Sequence, residues 1–367
     1  MRSARIVGLL FGAVVPLVAV GALAPASAVT KPRDLVVPTA AYPTIQSAVD
    51  AARPGDHIAV RPGVYREQVV IGKNLTLTGA GAQKTTIRAP EQLVTGSDGR
   101  NSLVTLDNAA SVHMSRLAVS GPGSGTCDEG ALGAGIRVLG GAHLDLSHAR
   151  VTHIQDTPMA PCFRSASSVL IGDLPVGTGS ANIRDSRITD YQGSGIVVLN
   201  EGSRATLVRN VVTGQKRLST DGIEFVGAIG RIEQNVVSDN ACREPDPECG
   251  PDFFNEFQHA GILAGGTGTV ITKNRLTGNQ LGIYAFDTAE ISHNHLVDNT
   301  YFGMALQDGS FTATKDTIRG GTGGVAVVAS AVNTTARLNR VKIGKTSGAA
   351  IQKFECCGFT ATVTSKP

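Results

Sequence analysis

Between about residue 182 and residue 343, apolar and polar positions return in one phrase. It reads Gly-apolar-x-apolar, a gap, then apolar-x-x-Asn-x-apolar. The first half occurs at Gly195-Ile196, Gly222-Ile223, Gly261-Ile262, Gly282-Ile283, Gly303-Met304 and Gly324-Val325. The second half follows at Leu207…Asn210…Val212, Ile232…Asn235…Val237, Ile271…Asn274…Leu276, Ile291…Asn294…Leu296 and Ala336…Asn339…Val341. Where no insertion intervenes, Gly261, Gly282, Gly303 and Gly324 are 21 residues apart. A fixed period of this length marks a solenoid.

Each repeat holds three apolar runs of two to four residues, too short and too β-branched for helices. Ile196-Val197-Val198, Ala205-Thr206-Leu207-Val208 and Val211-Val212 form one such set. Three strands per turn, each stacking on its counterpart in the next turn, predict an all-β fold, a right-handed parallel β-helix. Asn at the bend is expected in the left-handed backbone region, which it tolerates well, and stacked Asn side chains can hydrogen-bond along the axis. The Gly before the first strand is read as a related turn device. Weaker copies upstream, with Ser at the bend, bring the total to about ten or eleven coils, a rod about 50 Å long. Tyr42–Ala52 predicts a short amphipathic helix with Ile45, Ala48, Val49 and Ala52 on one stripe, a cap for the open end of the solenoid. The repeat runs through, so residues 41–367 read as one domain after an extension over 29–40.

Composition agrees with thin aliphatic stacking and tight turns: 44 Gly, no Trp and 4% aromatic residues. Arg2 and Arg5, the apolar run Ile6–Leu23 and Ala26-Ser27-Ala28 read as a secretory signal peptide over 1–28. The expected location is extracellular or at the cell envelope, as a monomer with no membrane span once the leader is cut. Without the two leader arginines the chain has 31 basic and 30 acidic residues, which argues against nucleic acid as partner. Six Cys in an exported chain read as disulfides. Cys242–Cys249 within one insertion and Cys127–Cys162 across adjacent coils are the expected pairs, and Cys356-Cys357 is either a vicinal disulfide or two thiols.

Thr44–Asp50, Pro54-Gly55-Asp56, Pro62–Glu67 and Leu75–Gly81 resemble the opening of pectin-lyase-like right-handed β-helix proteins, and most of all the start of pectin methylesterases. The later repeats are similar to the generic parallel β-helix repeat of that superfamily. The resemblance implies the fold and a substrate laid across the first strand of each coil. Gln155-Asp156-Thr157 matches a fragment of the esterase motif, but Asp-Phe-Ile-Phe-Gly is absent and the third motif needs a Trp that this chain lacks. Methylesterase activity is therefore not expected. Similar repeats occur in polysaccharide lyases, uronan epimerases, glycoside hydrolases, phage-tail depolymerases and a periplasmic copper-maturation protein, and the repeat alone does not choose among them.

Strand alternation points Arg137, Leu170, Val197, Glu224, Leu263, Tyr284, Ala305 and Ala326 outward on the first-strand face. Asp221 and His259 stand just before their Gly-Ile pairs, and the long insertion 241–259 enters on this edge. Long loops on a rigid scaffold concentrate function. Asp221, Glu224, His259 and Tyr284 are the candidate catalytic residues. Arg137, Lys216, Arg217, Phe253 and Phe254 are the candidate substrate contacts. Carboxylates suit hydrolysis, whereas Tyr and His suit proton abstraction beside a uronate carboxylate neutralised by Arg. The expectation is a carbohydrate-active enzyme of lyase or epimerase type, with a non-catalytic protein that binds glycan or a partner as the alternative. No cofactor is expected. Asp246, Glu248 and Asp252 are acidic enough for calcium but lack EF-hand spacing, and the rings of His293 and His295 are expected to diverge about Asn294.

Overall fold

The computed structural model describes residues 31–96, 101–124, 131–157, 166–173, 177–216, 219–241 and 250–367. The leader over 1–28, Arg217, Asp246, Glu248 and the pairs Cys127–Cys162 and Cys242–Cys249 lie outside the described residues. Pro32–Pro367 is one compact unit.

The chain winds as a parallel β-helix. Each coil contributes one strand to each of three parallel sheets. Sheet 1 runs from Val69–Ile71 to Ile351–Glu355, sheet 2 from Asp34–Val37 to Ala361–Lys366, and sheet 3 from Gly63–Arg66 to Lys342–Ile343. Among the described residues sheet 3 has 11 strands, and all but its first follow strands of sheets 1 and 2, which gives ten complete coils. In one coil the strand Phe302–Thr314 passes from sheet 1 into sheet 2 without a break. Asp34–Val37 pairs with His57–Val60, so the β-helix begins inside the segment read as an extension.

Inward alternate residues form one aliphatic core from Leu35 to Ala361. No single coil could bury these side chains, so stacking supplies the stability. The helix Ile45–Ala51 turns Ile45, Ala48 and Val49 into that core, with Ala52 beside them. Thr44 and Ser47 cap it reciprocally, and Glu67 accepts from the Ile45 and Gln46 N–H groups at 2.9 Å each. A carboxylate there meets amides that the helix leaves unpaired. Nearby, Asp56 accepts from the Arg33 side chain and from the Arg33 and Arg53 N–H groups. The Arg33 guanidinium holds its carboxyl down to about 2.

At the corner between sheets 2 and 3 the left-handed residue is not the Asn. It is the residue before it: Arg209, Gln234, Lys273 and His293 have φ of 55–57°. Asn210, Asn235, Asn274 and Asn294 turn inward instead and form a ladder. The Asn210, Asn235 and Asn274 N–H groups each donate to the next Asn Oδ1 at 2.9 Å, and the Asn294 N–H donates to Asp316 Oδ1 at 2.7 Å. Each Nδ2 also donates to a backbone carbonyl in the coil before. The side chain is worth more as a ladder rung than as a tolerant corner, because a buried amide needs all its partners. In the last repeat the corner position is Val341, after Arg340 at φ 55°, whereas Asn339 ends the strand Thr334–Asn339 beside Thr314. The expected alignment on Asn339 was therefore two residues early.

A second ladder, Asn240–Asn279–Asn299, runs at the corner before sheet 1. It explains the repeated Gly differently from a turn device. None of Gly195, Gly222, Gly261, Gly282, Gly303 and Gly324 has positive φ. A Cβ on Gly282 would collide with the Gly303 carbonyl and lie 2.9 Å from Leu296 Cδ2 and 3.0 Å from Asn299 Nδ2. The glycines let coils approach. Gly282→Ala should therefore cost about 1–3 kcal/mol in urea unfolding, the usual range for overpacking. An unchanged midpoint would show that the coil can relax around a methyl group.

Candidate functional site

The expected outward row is one register-aligned column on sheet 1: Arg137, Leu170, Val197, Glu224, Leu263, Tyr284, Ala305 and Ala326. Alternation placed these residues correctly. Exposure did not follow. Arg137, Leu170, Val197 and Tyr284 are 4–5% exposed, and Ala305 and Ala326 are fully buried.

The insertion explains the buried lower half. Gly250–Gln258 folds on itself through Asp252, which accepts from the Phe254 N–H and Asn255 Nδ2, and through Gln258 Nε2, which meets three carbonyls at 2.7–3.0 Å. These bonds hold the Asp252 carboxyl below its ordinary range. Phe253 then packs across the face, with ring centroids 5.9 Å from Tyr284, 5.8 Å from Phe302 and 5.0 Å from Phe354. Ala305 and Ala326 leave room for this second apolar layer. The lower face is therefore covered. Phe253 is an anchor, while Phe254 and Phe257 stay 39% and 50% exposed.

Two of the four candidate catalytic residues come together. His259 Nδ1 lies 3.1 Å from Asp221 Oδ2, and Asp221 Oδ1 accepts from the Ala260 N–H at 2.7 Å. Asp221 precedes Gly222 by one position and His259 precedes Gly261 by two, so the contact is diagonal between adjacent coils. The His259 N–H donates to Gln280 Oε1 at 2.6 Å and its carbonyl accepts from the Leu281 N–H, which fixes the backbone. The carboxylate places the imidazole proton on Nδ1. Nε2 is buried with no hydrogen-bond partner among the described residues. Glu224, half-buried one coil from Leu263, accepts from Ser194 Oγ at 3.0 Å, and Ser194 pairs with Thr220 at 2.9 Å beside Asp221. The Asp221 charge is felt by the buried Tyr191, whose hydroxyl is pushed well above its ordinary range first by burial and then by that charge.

The remaining candidates stand apart. The Tyr284 hydroxyl donates to Gln307 Oε1, the ring lies 4.3 Å from Phe286, and burial raises its pKa. It is no exposed sugar platform. Arg137 forms a buried ion pair with Asp173, three coils or about 14 Å from Glu224. Lys216 is exposed at the end of Val211–Lys216, 3.8 Å from Asp239. Ser194, Thr220 and Gln280 were missed. Their signal was polarity at the two positions before sheet 1, where Asp221 and His259 also stand. Gln155 accepts from Gln215 and buried Asp156 accepts from the Leu132 N–H, both structural contacts. Cys356 and Cys357 sulfurs lie at bonding distance, and no helix among the described residues is long and apolar enough to cross a membrane.

No curated protein matches the sequence. Among solved structures, an alginate lyase from Paenibacillus sp. str. FPU-7 is 14% identical, with 88% of this chain and 99% of that one covered at a TM-score of 0.51. The catalytic unit of an α-1,3-glucanase from Streptomyces thermodiastaticus is 14% identical over 88% of this chain, at 0.54. A tailspike capsular polysaccharide depolymerase from the Acinetobacter baumannii bacteriophage Fri1 is 12% identical over 86%, at 0.54. The chain spans 65% and 62% of the last two. At such identities the likeness carries the fold alone. Residues 176–341 also match the family described as right handed beta helix region. With three parallel sheets and this match, the chain is a right-handed parallel β-helix protein.

Proposed function

We propose that the chain acts on polysaccharide and that His259, oriented by Asp221, is its proton-transferring group. The observation that carries this is the unpartnered Nε2 of a histidine whose other nitrogen faces a carboxylate. Such an imidazole is a general base held in one tautomer. Both Asp221 oxygens are occupied, by the Ala260 N–H and by His259. A two-carboxylate hydrolysis would need Asp221 beside Glu224 as an acid or nucleophile, which favours proton abstraction over hydrolysis. Lyase or epimerase chemistry on a uronate fits, with Glu224 as the second polar group and without Tyr284. His259 is 7% exposed, so substrate would reach Nε2 through movement of residues 250–258 beside it. The glycan-active names of the structural neighbours agree with this substrate class, and the leader-like N-terminus with an exported protein.

The test is incubation of purified protein with polyuronates in deuterated water, followed by ultraviolet absorbance of unsaturated ends and deuterium in the uronate. Either signal is expected, and His259→Gln should lower it at least about 100-fold. Retention on the glycan with neither signal would sink the catalytic reading. It would leave a binding protein that uses the exposed rings of Phe254 and Phe257 as stacking platforms.

A further inference from the structure

The left-handed corner residues form a column of their own. Each N–H donates to the carbonyl just before the corner of the next coil, from Arg116, His148 and Asp185 through Arg209, Gln234, Lys273 and His293 to Lys315 and Arg340. Two positions on, the first residues of sheet 3 form a parallel column containing Arg150, Arg187, Arg275, His295 and Lys342. Between the columns lies the buried Asn ladder, so these side chains can only point outward. The two columns together place a Lys or Arg in every coil from Arg116 to Lys342 except those of Gln234 and His293, at about 4.8 Å per coil, and Asp185 stands in the corner column among them.

Acidic groups beside this ridge are few and occupied. Asp185 holds Arg209 through two bonds at 2.8 and 2.9 Å, and Glu233 holds Arg231 and Lys273 at 2.7 and 3.0 Å. Arg150, Arg187, Arg275, Lys315, Arg340 and Lys342 have no carboxylate partner among the described residues. Toward its N-terminal end the ridge deepens into a groove of about 720 Å³ lined by Arg150, Arg187, Arg209, His148 and one carboxylate, Asp185, which Arg209 holds. There the Arg150 Nε is buried without an acceptor, and a buried unsatisfied cationic donor is costly. The chain's net charge is only +3, so the ridge concentrates cations that the rest of the surface balances.

We propose that this corner is a docking ridge for a linear anionic polysaccharide, laid along the axis with its carboxylates facing the two cationic columns. A Lys or Arg in most coils suits a polymer with one carboxylate per sugar, since the coil pitch is close to the length of one residue in an extended glycan. The corner columns carry no Phe, Tyr or Trp on which nucleic-acid bases would stack. The ridge lies away from sheet 1, and the inference does not depend on the Asp221–His259 pair.

The experiment measures retention of the full chain on immobilised polygalacturonate, alginate and neutral dextran as salt is raised. Binding to the two polyuronates alone, weakening with salt, is expected. The exposed pairs Lys315→Glu with Arg340→Glu and Arg187→Glu with Arg275→Glu should each weaken it about tenfold, with unfolding midpoints unchanged. His259→Gln should bind as the parent does. Equal retention of the charge-reversed and parent proteins would overturn the ridge. So would loss of retention in His259→Gln, which would move binding to sheet 1, or tighter binding to a DNA duplex, which would make the ridge a nucleic-acid surface.

Discussion

Replacing Asp316 by asparagine is expected to stabilise the protein at pH 7.5 by about 3 kcal/mol. Asp316 ends the Asn ladder. Its Oδ1 accepts from the Asn294 N–H and Nδ2, and its Oδ2 is buried without a partner among the described residues. Burial is the main cause that pushes its carboxyl up to about 6 from 3.8. A raised carboxyl pKa means that the folded state holds the proton more tightly than the unfolded one. The penalty is absent below about pH 4, grows as pH rises toward 6 and is constant above, where two pKa units amount to about 3 kcal/mol. Asparagine carries no charge. Its Nδ2 would take the place of Oδ2 and face the Ile291 carbonyl, as Asn294 Nδ2 meets that of Ile271 at 3.0 Å. Urea unfolding from pH 4 to 8 checks this: the parent should lose stability across that range relative to Asp316→Asn, and parallel curves would mean that the carboxyl is not shifted.

Phe253→Ala should release the ordered part of the insertion. Truncating a buried phenylalanine costs about 3–5 kcal/mol, and Phe253 links the loop to Tyr284, Phe302 and Phe354. The loss falls on a local unit rather than on the coils, which keep their ladders. Amide exchange over 250–258 should rise by two orders of magnitude or more, while amides of sheets 2 and 3 stay protected. Protection retained in the variant would show that Gln258 and Asp252 hold the loop unaided.

The first-strand column was legible because a period of two, once phased by Ile223 and Phe225, assigns every side chain to a face. Its burial was not, because the covering Phe253 comes from an insertion that has no period. The Asp221–His259 contact was half legible: both residues lie near the same corner, but only the register of Ile223 with Ile262 makes the pair diagonal neighbours. The corner itself was misread by one residue. Asparagine tolerates a left-handed backbone, but at this corner its amide is spent on the ladder and the strain passes to an exposed neighbour of any type. That freedom is what allows the neighbour to be Arg or Lys. In the last repeat Ala336 and Leu338 both point inward, so apolar spacing alone could not choose between Asn339 and Val341.

The ladder also acts as a ruler that ignores sequence distance. Asn235 and Asn274 are 39 residues apart and Asn274 and Asn294 are 20, yet both pairs meet at 2.9 Å. The scaffold therefore does not register how much chain leaves and re-enters between two rungs. A loop at that exit can lengthen, shorten or change its chemistry without renegotiating the core, and what such a protein recognises can diverge much faster than what holds it up.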